Sequence, residues 1–145
     1  EAAGNMYIIG CNTISHLSAG LVHISRTGDD TSGREWERTR KMGVNTLAFR
    51  LCQNEVFYMC DADCVGILDD YIPWEKNRQW LNLLSFSNTP LFVSCTNKIP
   101  EYVKCDLKDA YRIFNEPHTF EPVDIFDTRT PEHWKIDGHD VYYKW

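Results

Sequence analysis

Leu21-Val22-His23-Ile24-Ser25-Arg26-Thr27-Gly28-Asp29-Asp30-Thr31-Ser32-Gly33-Arg34-Glu35 changes character twice within fifteen residues. Residues 21–25 have the length and apolar content of a buried strand. Residues 26–30 are a polar turn. Ser32-Gly33-Arg34-Glu35 fits a capping box, in which the Ser32 hydroxyl accepts the Glu35 amide while Glu35 reaches back. The helix opened there carries Trp36, Val44, Leu47, Ala48 and Leu51 at near-helical spacing. Gly43 weakens it by about 1 kcal/mol relative to alanine and marks a kink or break. Strand, polar turn and helix in that order make one βα unit.

The same succession recurs along the chain. Residues 6–11 form an apolar strand, followed in residues 12–20 by room for a single helical turn. Residues 56–60 form a third strand that ends in Asp61-Ala62-Asp63-Cys64-Val65-Gly66, and residues 91–95, after Pro90, form a fourth. Pro73-Trp74-Glu75 starts a helix with Trp80, Leu81, Leu84 and Phe86 apolar. Pro100-Glu101 starts another, with Tyr102, Val103, Leu107, Ala110, Tyr111 and Phe114 as its apolar face. After Asn115 the pattern changes: Pro117, Pro122 and Pro131 break helices, and Val141-Tyr142-Tyr143 reads as a strand in a different local structure. Four short apolar strands, each heading into a helical stretch, imply an α/β fold with a parallel sheet. Two architectures satisfy this, an open doubly wound sheet or half of a (β/α)8 barrel, because a whole barrel takes about 250 residues.

The 145 residues are 43% apolar and 25% charged, enough for one proper core. Fifteen Lys and Arg against twenty-one Asp and Glu leave a net charge of −6, which argues against nucleic acid and anionic lipid as partners. No apolar run reaches the roughly 20 residues of a membrane span. Glu1-Ala2-Ala3-Gly4-Asn5 lacks the basic start of a signal peptide. Cys11, Cys52, Cys60, Cys64, Cys95 and Cys105 are scattered and sit mainly in apolar runs. They read as buried reduced thiols, favouring a cytoplasmic location, with no zinc spacing among them. Gly10-Cys11-Asn12-Thr13 matches no phosphate loop, and the five histidines form no paired-ligand pattern. No Gly-x-Ser-x-Gly elbow is present. No metal or cofactor is expected.

Polar residues gather where the strands end, the place at which parallel α/β folds bind ligands. They are Cys11-Asn12, Arg26 to Asp30, Asp61 to Cys64, and Cys95-Thr96-Asn97, although Thr96 and Asn97 are also plain turn formers. Arg26 and Asp30 flank a turn that Gly28 lets bend tightly, so a guanidinium can hold a sugar hydroxyl while a carboxyl faces the leaving oxygen. Such a carboxyl group can donate a proton and later take one from water. Asp29 suits the N-terminus of the next helix. Asp61 and Asp63 face one side if the backbone stays extended. They suit sugar hydroxyls, a shared proton or a cation, and equally a structural pair bonded to nearby amides. His23 is placed to support Arg26 by a hydrogen bond, and Trp74, at a loop-to-helix junction, to stack on a sugar face.

The run from His23 to Asp30 resembles the sixth barrel strand of the melibiase-type α-galactosidases, glycoside hydrolase clan D. In that family an Arg precedes the acid/base Asp by four residues, matching Arg26 and Asp30. Cys11-Asn12 resembles the end of the fifth strand, usually Cys-Glu or Cys-Trp, from which Asn12 departs. Asp61-Ala62-Asp63-Cys64 is similar to Asn-Asp-Pro-Asp-Met after the seventh. Phe120-Glu121-Pro122-Val123-Asp124-Ile125-Phe126-Asp127-Thr128, with Trp134, Asp137-Gly138 and Trp145, resembles the exit into a C-terminal β-domain. The resemblance implies that residues 1–116 are the C-terminal half of a (β/α)8 catalytic barrel, four βα units, and that 117–145 lead into the β-domain. It implies retaining action on α-galactosides or related oligosaccharides, with Asp30 as acid/base and Arg26, Cys11, Asn12, Asp61 and Asp63 around the sugar. A related galactosyl transfer uses the same intermediate. The family's nucleophile, an Asp in a Lys-Tyr-Asp type motif on the fourth strand, has no counterpart here. The resemblance therefore implies an N-terminal half-barrel in the same or another chain, and possible oligomers. The residues alone also fit a non-catalytic α/β carbohydrate-binding or interaction domain.

Overall fold

Helix and strand alternate as the apolar spacing requires, but the strands are shorter than the apolar runs that announce them. A computed structural model describes residues 4–12, 15–31, 33–67, 71–96 and 98–145. Strands β1 (Ile9–Cys11), β2 (Ile24–Arg26) and β3 (Met59–Asp61) form a parallel sheet in that order. Its register aligns Ile9, Ile24 and Met59, then Gly10, Ser25 and Cys60, then Cys11, Arg26 and Asp61. Strand β4 (Cys64–Ile67) follows β3 after two residues and pairs in parallel with β5 (Phe92–Cys95). The chain is thus an α/β fold with parallel pairing, as the sequence leads one to expect.

Three strand boundaries differ from expectation. Tyr7 and Ile8 precede β1 and lie exposed, and Leu21 sits in a turn, its N–H bonded to the Ser18 carbonyl. Val56, 71% exposed, belongs to a turn ahead of β3. The largest correction is β4, because residues 61–66 read as a loop. Asp63 takes a φ of +69°, with its N–H held by Asp61 Oδ1 at 2.7 Å. That single left-handed residue ends pairing with β2, and the chain resumes extended against β5. The stretch between β1 and β2 does hold one helical turn, Ser15–Ser18.

The helix after β2 starts as α1 (Trp36–Arg38), widens into a π-helical stretch (Thr39–Val44) and continues as α2 (Asn45–Phe49). Ser32, the expected cap, lies outside the described residues, and Glu35 caps nothing with its side chain but pairs with Arg38 at 3.1 Å. Gly43 falls in the π stretch for a reason beyond flexibility: a Cβ there would lie 2.9 Å from the Trp80 ring. Trp80 is fully buried on α3 (Trp74–Ser85), among Val44, Leu47, Val65, Leu81 and Leu84. Helix α4 (Glu101–Phe114) packs on α3 and buries Val103 and Ala110, but Tyr102 and Tyr111 stay exposed, so its apolar stripe is narrower than the sequence suggests. Pro73 and Pro100 precede these two helices, where a missing N–H costs nothing.

An antiparallel meander ends the chain: β6 (Phe120–Pro122), β7 (His133–Ile136) and β8 (His139–Tyr142). Its Trp134 and Ile136, with Tyr143, join the same core as α3. All six cysteines are free, but the expectation of burial fails for most: Cys11, Cys52, Cys95 and Cys105 are exposed and only Cys60 is buried. Cys11 and Cys95 end strands and Cys105 rides the outer side of α4, so an apolar neighbourhood in sequence does not enclose them. Among the described residues no helix is long and apolar enough to cross a membrane.

Candidate functional site

Side chains alternate across a strand, so residues aligned by the parallel register share a face. Cys11, Arg26 and Asp61, the last residues of β1, β2 and β3, therefore point to one side of the sheet's C-terminal edge. Arg26 is the hub. Its Nη1 donates to Asp30 Oδ1 at 2.7 Å and stands 3.7 Å from Asp63 Oδ1, while Nη2 donates to Cys11 Sγ at 2.8 Å. Burial, the largest single influence on the guanidinium, works against its charge. Asp63, Cys11 and Asp30 outweigh it and hold the Arg26 pKa above its ordinary value.

The loop that carries Asp30 is stapled to its neighbours. Thr27 N–H donates to the Asp61 carbonyl at 3.1 Å. Thr31 N–H donates to Asp63 Oδ2 and its hydroxyl to the Cys64 carbonyl, both at 2.6 Å. Gly33, with φ of +83°, lies against β4 so closely that a Cβ would collide with the Gly66 backbone. Asp29 is spent within the loop, accepting the Asp30 N–H at 2.8 Å and pairing with Arg38 at 3.2 Å. Asp30 itself remains 54% exposed, its carboxylate turned to Arg26 and solvent.

Asp61 is buried, and burial raises its pKa; the Asp63 carboxylate adds to this, while the Asp63 N–H and Arg26 oppose it. Burial likewise pushes the Cys64 thiol up to about 12. Asn12 is exposed at φ of +51°, and its N–H donates to the Arg26 carbonyl at 3.0 Å, extending the β1–β2 ladder by one bond. His23 accepts the Ile8 N–H on Nδ1 at 3.1 Å, a bond that supports β1 and not Arg26. Trp74 is placed elsewhere: it opens α3 and donates from Nε1 to Asp106 of α4 at 2.7 Å. Asn97 lies outside the described residues. Among the described residues no group of three or more His, Cys, Asp or Glu side chains is gathered to hold a metal.

The structure thus brings Cys11, Asn12, Arg26, Asp30, Asp61 and Asp63 to one edge and leaves Trp74 in the helix layer. Thr31 is the participant that spacing does not reveal, because a threonine in a polar run looks like any turn residue until its bonds to Asp63 and to Cys64 of β4 are seen. A guanidinium braced by two carboxylates and a thiol, with one of those carboxyl groups open to solvent, can grip a polyol hydroxyl and present an oxygen acid beside it.

No protein-family model and no curated protein matches this sequence. Among solved structures, an α-galactosidase from Thermus thermophilus in complex with p-nitrophenyl α-D-galactopyranoside is similar over 98% of this chain, with a TM-score of 0.53 and 16% identity. The chain spans 30% of the length of that protein. At this identity the likeness is one of fold: the α/β arrangement built here is similar to part of an α-galactosidase.

Proposed function

We propose that this chain supplies part of a retaining glycoside hydrolase centre acting on α-galactosides, as the C-terminal half of a (β/α)8 barrel with the start of a β-domain. In this reading β1, β2, the broken strand β3–β4, and β5 are four consecutive barrel strands. Asp30 is the acid/base, and Arg26, Cys11, Asn12, Asp61 and Asp63 surround the sugar. The second carboxyl group of a retaining pair, about 5–5.5 Å from the first, comes from an N-terminal half-barrel in the same or another chain. The observation that carries the reading is the 2.7 Å pairing of Arg26 with an exposed Asp30 at the C-terminal edge of an in-register parallel sheet. A second observation supports it. Ile9, Ile24 and Met59 lie on the same face as Arg26, and Ile9 and Met59 are 54% and 38% exposed, as the inner face of a barrel is when its other half is absent. The fold likeness to an α-galactosidase points the same way.

Calorimetric titration of the chain with galactose tests the sugar site without requiring turnover. Wild type is expected to bind, and R26A to lose at least about tenfold in affinity, the scale of a charged hydrogen bond. Equal affinity in the two proteins, or no binding to wild type, overturns the assignment of Arg26.

A further inference from the structure

His118 lies in the connection between α4 and β6, far along the chain from Arg26, and the proposed chemistry gives it no task. Its ring meets Phe86 edge-on at 4.8 Å. Nδ1 stands 2.7 Å from Asp137 Oδ2, in the β7–β8 turn, and Nε2 stands 2.9 Å from the Ile113 carbonyl, in the last turn of α4. Both neighbours only accept. A neutral imidazole carries one N–H and can satisfy one of them, whereas an imidazolium satisfies both. The rest of the junction fixes the ring between these partners. Asn88 bonds the His118 backbone on both sides, at 2.7 and 3.1 Å, and Asp137 accepts the Thr119 N–H at 2.9 Å.

We propose that His118 is a proton-operated clasp: as imidazolium it fastens the β6–β8 meander to the end of α4, and on losing a proton it lets one of the two go. Two acidic groups beside it favour the charged ring, Asp137 from the β7–β8 turn and Glu116 from the connection itself. Glu55 lines the cavity that His118 also lines, with Leu51, Asn54, Asn88 and Phe120. The carbonyl end of α4 adds its partial negative charge. Arg112, the cation of that last turn, is taken by Asp109 at 3.0 Å. Burial, the largest influence, lowers the His118 pKa, but the bonds to Asp137 and Ile113 and the two acidic charges outweigh it, and the value is raised. The clasp's contribution is therefore complete below about pH 6.5, the unfolded value, and is lost as pH climbs through the higher native value.

Two measurements on the full chain decide the matter. In an NMR titration of the five histidines, His118 is expected to have its midpoint above the ordinary 6.5 or so. Across that midpoint, amide exchange protection at Thr119 and Asp137, corrected for intrinsic pH dependence, is expected to drop about tenfold, the scale of one charge-assisted hydrogen bond. H118Q keeps an N–H donor group but cannot titrate, so its protection should show no step. D137N should move the midpoint down towards the ordinary value. A wild-type midpoint at or below that value, protection that does not change across it, or a step that persists in H118Q overturns the proposal; if either variant fails to fold, the wild-type midpoint and protection step decide.

Discussion

Asp61 ends β3 with 4% of its surface exposed, and its pKa is raised by burial first and by the neighbouring Asp63 charge second. The native state therefore holds a proton there more tightly than the unfolded chain does. The stability this gives is complete below about pH 3.9, the unfolded value, and is lost as pH rises through the higher native one. Burial opposes a charge on Asp61, so ionising it as pH rises costs the native state stability. D61N keeps an oxygen for the Asp63 N–H and removes the charge. We expect it to raise the urea midpoint at pH 7, with the gain shrinking towards zero near pH 3.5. A lower midpoint at pH 7 would show that Arg26 compensates the charge more fully than burial penalises it.

At the scale of elements, the π-helical stretch Thr39–Val44 exists where Gly43 lets Trp80 of α3 press on the backbone. A methyl group there meets the indole at 2.9 Å, and neither helix can retreat without opening the core around Val44 and Leu47. G43A should therefore destabilise by about 1–3 kcal/mol, the usual cost of overpacking, although alanine is the better helix former. Equilibrium urea unfolding reads this as a lower midpoint at an unchanged slope; a raised midpoint would mean that helix propensity, not packing against Trp80, governs the position. The same contrast explains what the sequence displays and what it hides. Helices α3 and α4 are legible because Pro73 and Pro100 announce them and twelve or fourteen residues give the apolar period room to repeat. Strands of three or four residues have no room for a period, so their edges drift by up to three residues. The β3–β4 break is hidden altogether, since it rests on one positive φ and one side-chain bond at Asp63. Arg26 and Asp30 were legible as a pair because four residues and a glycine set their meeting; Thr31 and the helix-layer seat of Trp74 depend on contacts more than thirty residues away.

At the scale of the whole molecule, the parallel strands present one face that is covered and one that is open. Gly10, Ser25 and Cys60 are buried, while Ile9, Ile24 and Met59 alternate to the other side with the Arg26 row above them. Parallel sheets are normally covered on both faces, and an edge strand with an apolar flank invites another chain. Met6, Tyr7 and Ile8, which lead into β1, are exposed as well. If an N-terminal half-barrel belongs there, the chain by itself should self-associate through that face. Sedimentation is expected to show mass rising with concentration, and a double substitution, I9K with M59K, to return it to a monomer. On the proposed reading the same chain should not turn over p-nitrophenyl α-D-galactopyranoside, because Asp30 as acid/base would lack the second carboxyl group that a retaining mechanism needs. The two results test different links. A monomer at high concentration removes the need for a missing half, whereas turnover that disappears in D30A would place both carboxyl groups within these 145 residues.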